Sequence, residues 1–259
     1  MSQTSISADL PIPDFSIVTV CLNSEKTIRD TMESVLNQKG VTVEHIIKDG
    51  GSRDGTLSIV RAANASAKVI EKMDCGVYDA MNQGFQETSG EIVAFLNSDD
   101  YYVDDWVLAS VLETFRSTSC DLVFGGIRMI ETSGRIRRVW RGRELKPGKL
   151  DGMQLPHPAV FVRRSVLRSL DQPFDPSYRI SADIKQQLIL IEKNRHTTAY
   201  VAKELTCMRI GGESTVNIRA VIRGWSESAR AYREVHGQSG MLFVLRKVLL
   251  KLRQVRFLL

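Results

Sequence analysis

Ile92-Val-Ala-Phe-Leu-Asn-Ser-Asp-Asp100 runs from five apolar residues straight into two adjacent carboxylates. An apolar run without alternation fits a strand covered on both faces, as in an open parallel sheet. Ligands of such sheets bind just beyond the carboxyl ends of the strands, which is where Asp99 and Asp100 stand. One reading makes the pair a turn former or a cap for the next helix. The other has it hold Mg2+ or Mn2+, hard cations that take few protein oxygens and share substrate phosphate oxygens.

Working upstream, Phe15 to Val20 is a β-rich run, and Ile28, Met32, Val35 and Leu36 follow at helical spacing. Val43 to Ile47 predicts a second strand, and a helix follows Asp54. A short strand at Lys68 to Ile70 and a helix from Tyr78 to Gln86 continue the alternation. The pattern is βαβ, with parallel strands and crossover helices. Downstream, a helix runs from Asp104 to about Phe115, a strand spans Leu122 to Phe124, and a turn falls at Ser133-Gly134. Ser181 reads as the N-cap of a later helix, with Ile184, Leu188 and Ile191 on one face and Asp183 in its first turn. The organisation expected is a polar leader over residues 1–14, a main domain over 15–215 and a basic helical extension over 216–259.

A chain of 259 residues, 43% hydrophobic and 25% charged, suits one α/β core with a small accessory piece. No apolar stretch reaches the roughly 18 residues a membrane span needs, and the N-terminus has neither basic start nor apolar h-region. Cys21, Cys75, Cys120 and Cys207 are widely spaced without a CxxC pair, so they read as reduced thiols of a cytoplasmic protein. Basic residues crowd the stretch from Arg128 to Lys149, which is either a seat for something anionic or a solvated hairpin face. No nucleic-acid-binding motif accompanies them.

Four segments carry the chemistry: Asp49-Gly-Gly-Ser-Arg-Asp-Gly-Thr56, Gly76-Val-Tyr-Asp-Ala-Met-Asn-Gln-Gly84, Leu96-Asn-Ser-Asp-Asp100 and Arg179-Ile-Ser-Ala-Asp-Ile-Lys-Gln-Gln-Leu188. In that order, and with Phe15 to Asn23 ahead of them, they resemble the family 2 nucleotide-sugar glycosyltransferases of the GT-A fold, in particular the bacterial exopolysaccharide transferases of the colanic-acid type. The resemblance covers about Phe15 to Ser214. It implies a nucleoside-diphosphate sugar donor, a saccharide or lipid-linked saccharide acceptor, and inversion at the anomeric carbon. Residue by residue, it implies that Asp49 contacts the nucleobase, Asp74 and Asn82 line the nucleotide pocket, Asp99 is the principal metal ligand with Asp100 assisting, and Asp183 is the catalytic base. His157 falls on the acceptor side, and Gly211 to Ser214 matches a loop that closes over the donor. Two positions depart from the family pattern: Asn97 stands where many members have Asp, and Leu22 where many have an aromatic residue. Two rivals remain: a sugar-phosphate nucleotidyltransferase, whose glycine-rich loop after the first strand is absent here, and a nonenzymatic nucleotide-sugar or glycan-binding module.

From Met241 to Leu259 there are five Lys or Arg and no acidic residue. On a helical wheel Leu242, Leu245, Leu249 and Leu252 share a face with Met241 and Val248, while Leu250 and Phe257 fall among the charges. Two readings stand: an interfacial helix on the inner membrane's cytoplasmic surface, or packing on the domain or on a second copy.

Overall fold

The apolar runs become strands β1 (Phe15–Cys21), β2 (Val43–Asp49), β3 (Lys68–Glu71) and β4 (Ile92–Phe95), separated by helices α1 (Ile28–Leu36), α2 (Thr56–Ala63) and α3 (Val77–Gln86). The chain continues through β5 (Tyr101–Tyr102), α4 (Val107–Thr118), β6 (Leu122–Ile130), β7 (Ile136–Trp140), β8 (Val160–Arg163) and α5 (Arg164–Arg168). It ends with α6 (Ala182–Gln187), β9 (Thr198–Arg209), α7 (Ile218–His236) and α8 (Met241–Val255). This computed structural model describes residues 11–211 and 218–255, with 218 and 251–255 given by backbone only. Most of the expected leader therefore lies outside the described residues, as do the loop past Gly211 and the side chains of Leu252 and Phe257.

Among the described residues the strands form one sheet in the order β3-β2-β1-β4-β8-β6-β9-β5, with β7 paired to β6. β3, β2, β1 and β4 are mutually parallel, as the βαβ pattern predicts. Alternate residues point to opposite faces. Phe15 and Ile17 of β1 join Ile92 and Ala94 of β4 in a core under α4, whereas Val18 and Val20 join Val93 and Phe95 in the core shared with α3. Ile28 and Met32 of α1 and Val60 of α2 close over Cys21 and Ile47. Both faces are dry, which is why these strands read as nearly unbroken apolar runs.

Beyond β4 the sheet stops being purely parallel. β8 inserts antiparallel between β4 and β6, and the long β9 returns parallel to β6. The alternation of the N-terminal half does not announce these strands: β8 has four residues, and Ala202 and Lys203 are exposed in the middle of β9. The strand read as Leu122 to Phe124 extends to Ile130 and turns back through Gly134, at φ 82°, into β7.

The stretch set apart as an extension packs on the main core. Ala231 of α7 and Phe243 of α8 are buried in the cluster that holds Val18, Phe95 and Ile184. Ser181 precedes α6 as expected, but its hydroxyl makes no cap; it donates to Gly224 O in α7 at 3.1 Å. The N–H groups just ahead of α6 are satisfied from α7, where the Glu227 carboxylate accepts from Ile180 N at 2.8 Å and Ser181 N at 3.0 Å. The six residues Leu188–Lys193 continue α6 as a π-helical turn.

Gly90 marks a tight approach of backbone to backbone before β4. A Cβ there would lie 2.6 Å from the Phe15 carbonyl carbon and 2.7 Å from Ser16 N, both backbone atoms. Gly90→Ala should therefore cost about 2 kcal/mol of stability, the range for overpacking a site that cannot give, measured by urea denaturation. An unchanged midpoint would show that the backbone relaxes freely.

Candidate active site

The parallel strands end together. Cys21 of β1 pairs with Asp49 of β2, and Asp49 with Glu71 of β3. α1 and α2 pack on one face of the sheet and α3 on the other, so the strand order reverses between β1 and β4, the position where open α/β sheets bind ligands.

Asp49 is fully buried. Its Oδ1 accepts from Gly51 N and Ser52 N, both at 2.8 Å, and its Oδ2 accepts from the Ser52 hydroxyl. Burial alone would raise its pKa, but the donors of Ser52 and Gly51 overcome that and hold the carboxyl below its usual range. Asp49 is thus an ionised acceptor with a fixed orientation. Beneath it Lys48 is also fully buried. Its ammonium donates to Asp49 O at 3.0 Å, Lys72 O at 2.6 Å and Asp74 Oδ2 at 2.8 Å. Lys48 thereby ties the loop after β3 to the end of β2 and brings Asp74 beside Asp49. Gly50 permits this approach, since a Cβ there would lie 2.7 Å from Asp74 Oδ2. The loop after β1 is stitched to the same wall, with Asn23 Oδ1 accepting from Arg53 N at 2.9 Å. Leu22, next to it, is 57% exposed.

At the end of β4, Asn97 turns the chain and donates from Nδ2 to Asp100 Oδ2 at 3.2 Å. Asp100 is buried and its Oδ1 has no hydrogen-bond partner among the described residues. Burial, and then the neighbouring Asp99 charge, push the Asp100 carboxyl well above its usual pKa; burial also raises Asp99, against the pull of Arg209. Two crowded carboxylates, one with an orphaned buried oxygen, suit a hard divalent cation, and the all-oxygen donor set fits Mg2+ or Mn2+. No group of three or more His, Cys, Asp or Glu converges among the described residues. Ser98 reaches Ser24 of the first loop at 2.8 Å. From β9, Arg209 donates to Asp99 O at 2.9 Å, pairs with Asp30 and lies 5.1 Å above the Tyr101 ring.

Asp183 stands on a different wall. It is buried, and its carboxylate accepts from Gln154 Nε2 at 3.0 Å and, at the limit of a hydrogen bond, from the Tyr78 hydroxyl at 3.5 Å. Burial and the Asp183 charge drive the Tyr78 pKa well up, so Tyr78 remains a phenol. The Tyr78 ring stacks on Phe174 at 5.6 Å, and Phe174 meets Phe95 edge-on at 4.8 Å. The His157 ring stacks on Phe95 at 5.9 Å, and its buried Nε2 has no hydrogen-bond partner among the described residues. Burial lowers its pKa, with the Asp183 charge opposing, so the ring is a neutral member of an aromatic wall. Asn82 packs behind that wall. Its amide is spent on the backbone of Phe174, donating to the carbonyl at 2.7 Å and accepting from the N–H at 3.0 Å.

The structure thus gathers Asp49 and Asp74 at one end, Asp99 and Asp100 at the switch point, and Asp183 with His157 along the wall that begins at Phe95. Lys48, Tyr78, Gln154 and Arg209 join them without having been singled out by sequence. Of these only Lys48 carried a signal, as a cation inside a buried strand. The basic stretch is partly neutralised within the chain, by Arg137 on Glu131 at 3.1 Å and Arg141 on Glu204 at 3.0 Å.

Residues 16–171 match the family described as Glycosyl transferase family 2. A PGL/p-HBAD biosynthesis glycosyltransferase of Mycobacterium bovis is 32% identical over 176 residues, covering 66% of this chain and 67% of the relative. The succinoglycan biosynthesis protein ExoO of Rhizobium meliloti is 30% identical over 158 residues, covering 60% and 44%. Among solved structures, S. aureus TarS in complex with UDP-GlcNAc superposes with a TM-score of 0.64 at 18% identity, over 85% of this chain and 66% of that one. The mannosyltransferase PcManGT of Pyrobaculum calidifontis, in complex with GDP-Man and Mn2+, gives 0.63 at 12% identity, over 92% and 74%. The fold is the α/β GT-A fold.

The Lys48 contacts generate a stability test. Lys48→Met removes one partner of a buried ion pair and leaves two carbonyls without their donor, so it should cost about 3 kcal/mol in chemical denaturation. A loss below about 1 kcal/mol, within the range of an exposed pair, would show that Asp74 and the loop after β3 do not depend on it.

Proposed function

The chain belongs to glycosyl transferase family 2, and from that premise we propose that it transfers a hexose, with inversion, from a nucleoside-diphosphate sugar to a lipid-linked saccharide. The product class is a bacterial surface polysaccharide of the colanic-acid type, and the enzyme works at the cytoplasmic face of the inner membrane. We further assign the reaction to residues 15–215 and treat 216–259 as an accessory extension.

One observation carries the reading. The buried Asp183 carboxylate is held by Gln154 and Tyr78 on an aromatic wall continuous with Phe95, the last residue of the strand that delivers Asp99 and Asp100. A proton acceptor and a diphosphate site are thereby built on one frame. Asp49, ionised and oriented by Ser52 and Gly51, accepts from the N–H of the nucleobase, and Asp74, held by Lys48, borders the same pocket. Asn82 supports the pocket through Phe174. Asp99 and Asp100 would hold Mg2+ or Mn2+, which supplies charge neutralisation for the departing diphosphate. The acceptor hydroxyl oxygen attacks the anomeric carbon, the bond from that carbon to the diphosphate oxygen breaks, and the hydroxyl proton passes to the Asp183 carboxylate. Gln154 and Tyr78 orient that carboxylate, while the neutral His157 ring walls the acceptor side.

Asp183→Asn should lower transfer by about 10²- to 10⁴-fold, the range of general-base catalysis, with donor affinity unchanged. Turnover with UDP-, GDP- and dTDP-sugars, alongside calorimetric binding, reads both; normal transfer by the folded variant would remove Asp183 from the mechanism. Asp99→Asn should abolish the Mg2+ or Mn2+ dependence of donor binding in the same calorimetry. Donor affinity that ignores divalent ions in the parent protein would sink the metal assignment.

A further inference from the structure

The outward face of α8 has no partner among the described residues. Met241, Leu242, Leu245 and Leu249 are exposed by 77, 58, 54 and 50%, and they share one side of the helix beside the exposed Arg246. The inward face is fully used. Phe243 is 5% exposed and stacks on Tyr232 of α7 at 5.1 Å, while Lys247 is 6% exposed and donates to Ser228 at 2.9 Å.

Charge is partitioned along the chain. Of 35 Lys and Arg and 30 Asp and Glu, nine basic and two acidic residues fall after residue 215, leaving 26 against 28 before it. The whole positive excess belongs to this last stretch, whose two carboxylates, Glu227 and Glu234, are engaged with the α6 cap and with Lys185, Arg230 and Tyr178. Arg219, Arg223 and Arg233 are exposed on α7.

We propose that α8, braced by α7, docks the protein on an anionic lipid surface by burying Met241, Leu242, Leu245 and Leu249 among the acyl chains with Arg246 at the headgroups. Apolar insertion and Lys/Arg attraction to anionic lipid reinforce one another in a helix lying in the interface. No helix among the described residues is long and apolar enough to cross the bilayer, so the helix lies on the surface. A second copy of the chain is the poorer occupant, since a symmetric pairing of this face would bring like charges together.

The hairpin is joined to the acceptor side. Glu227 caps the segment leading into α6, which carries Asp183, and Gly152 lies so close to α8 that a Cβ there would meet Arg246 Cβ at 2.7 Å. Gly152 is two residues from Gln154, the other support of Asp183. Docking therefore holds the Gly152-to-Gln154 segment next to the lipid surface, the side from which a lipid-linked saccharide would arrive. That consequence rests on the transfer reading; the docking itself does not.

Full-length protein should float with vesicles of phosphatidylcholine mixed with phosphatidylglycerol and not with phosphatidylcholine alone. Leu245→Gln combined with Leu249→Gln should lower the partition coefficient about a hundredfold, roughly tenfold per leucine, at an unchanged melting temperature because both side chains are exposed. Equal partitioning of variant and parent, or no binding by the parent, overturns the proposal. A concentration-dependent dimer dissolved by the same variant, without vesicle binding, also overturns it and assigns the stripe to self-association. Donor hydrolysis in vesicle-free buffer is read separately, so a failed transferase reading leaves the docking result standing.

Discussion

Helices cover both faces of β1, β2 and β4, and that double burial constrains everything else. A polar side chain on these strands must find partners inside or stand at a carboxyl end, where the loops open. Thr19 pairs inside with His45 Nε2 at 3.0 Å, and burial drives the His45 pKa down to about 3, which keeps it a neutral core residue. Asp49, Asp99 and Asp100 satisfy the second. They are concentrated together because the sheet leaves few other places for a carboxylate.

The two halves of the candidate site are held by different means. The loops after β1, β2 and β4 are short and stitched by local hydrogen bonds, with Ser24 reaching Ser98, Asn23 reaching Arg53 and Asp49 reaching Ser52. Lys48 ties the deepest of these together as a buried charge whose donors are all engaged, the condition under which burial of an ion is tolerated. The surroundings of Asp183 are a packed aromatic wall in which each polar atom of Asp183 and Asn82 is aimed by a partner far away in sequence. Preorganised loops suit binding and polarisation of a diphosphate, while a rigid wall suits positioning of a base.

Much of this was legible in the linear pattern. The first four strands and the first four helices fall close to where hydrophobic periodicity places them, because each buries a face of regular period. The strands β8 and β9 were not legible. β8 is too short to show a period, and β9 exposes Ala202 and Lys203 at its centre as it passes the sheet edge. Ser181 was a plausible cap by residue type, yet α7 supplies Glu227 and leaves the serine hydroxyl to bond Gly224. Lys247, one of the five basic residues of the tail, is buried, and Leu250, which falls among the charges on the wheel, packs inward on the core. In each case a neighbouring helix changed what the local pattern meant.

The sequence by itself determined the βαβ order, the strand ends and hence the placement of Asp49, Asp99 and Asp100, because those follow from short-range periodicity and from the rule that ligands meet the carboxyl ends of strands. Only the tertiary structure decided that Lys48 holds Asp74, that Asn82 is committed to Phe174, and that Asp183 meets Tyr78, 105 residues earlier in the chain. It likewise decided which face of α8 is left in water. Contacts of that kind depend on how whole elements pack, and residues separated by several strands carry no local pattern that says they will touch.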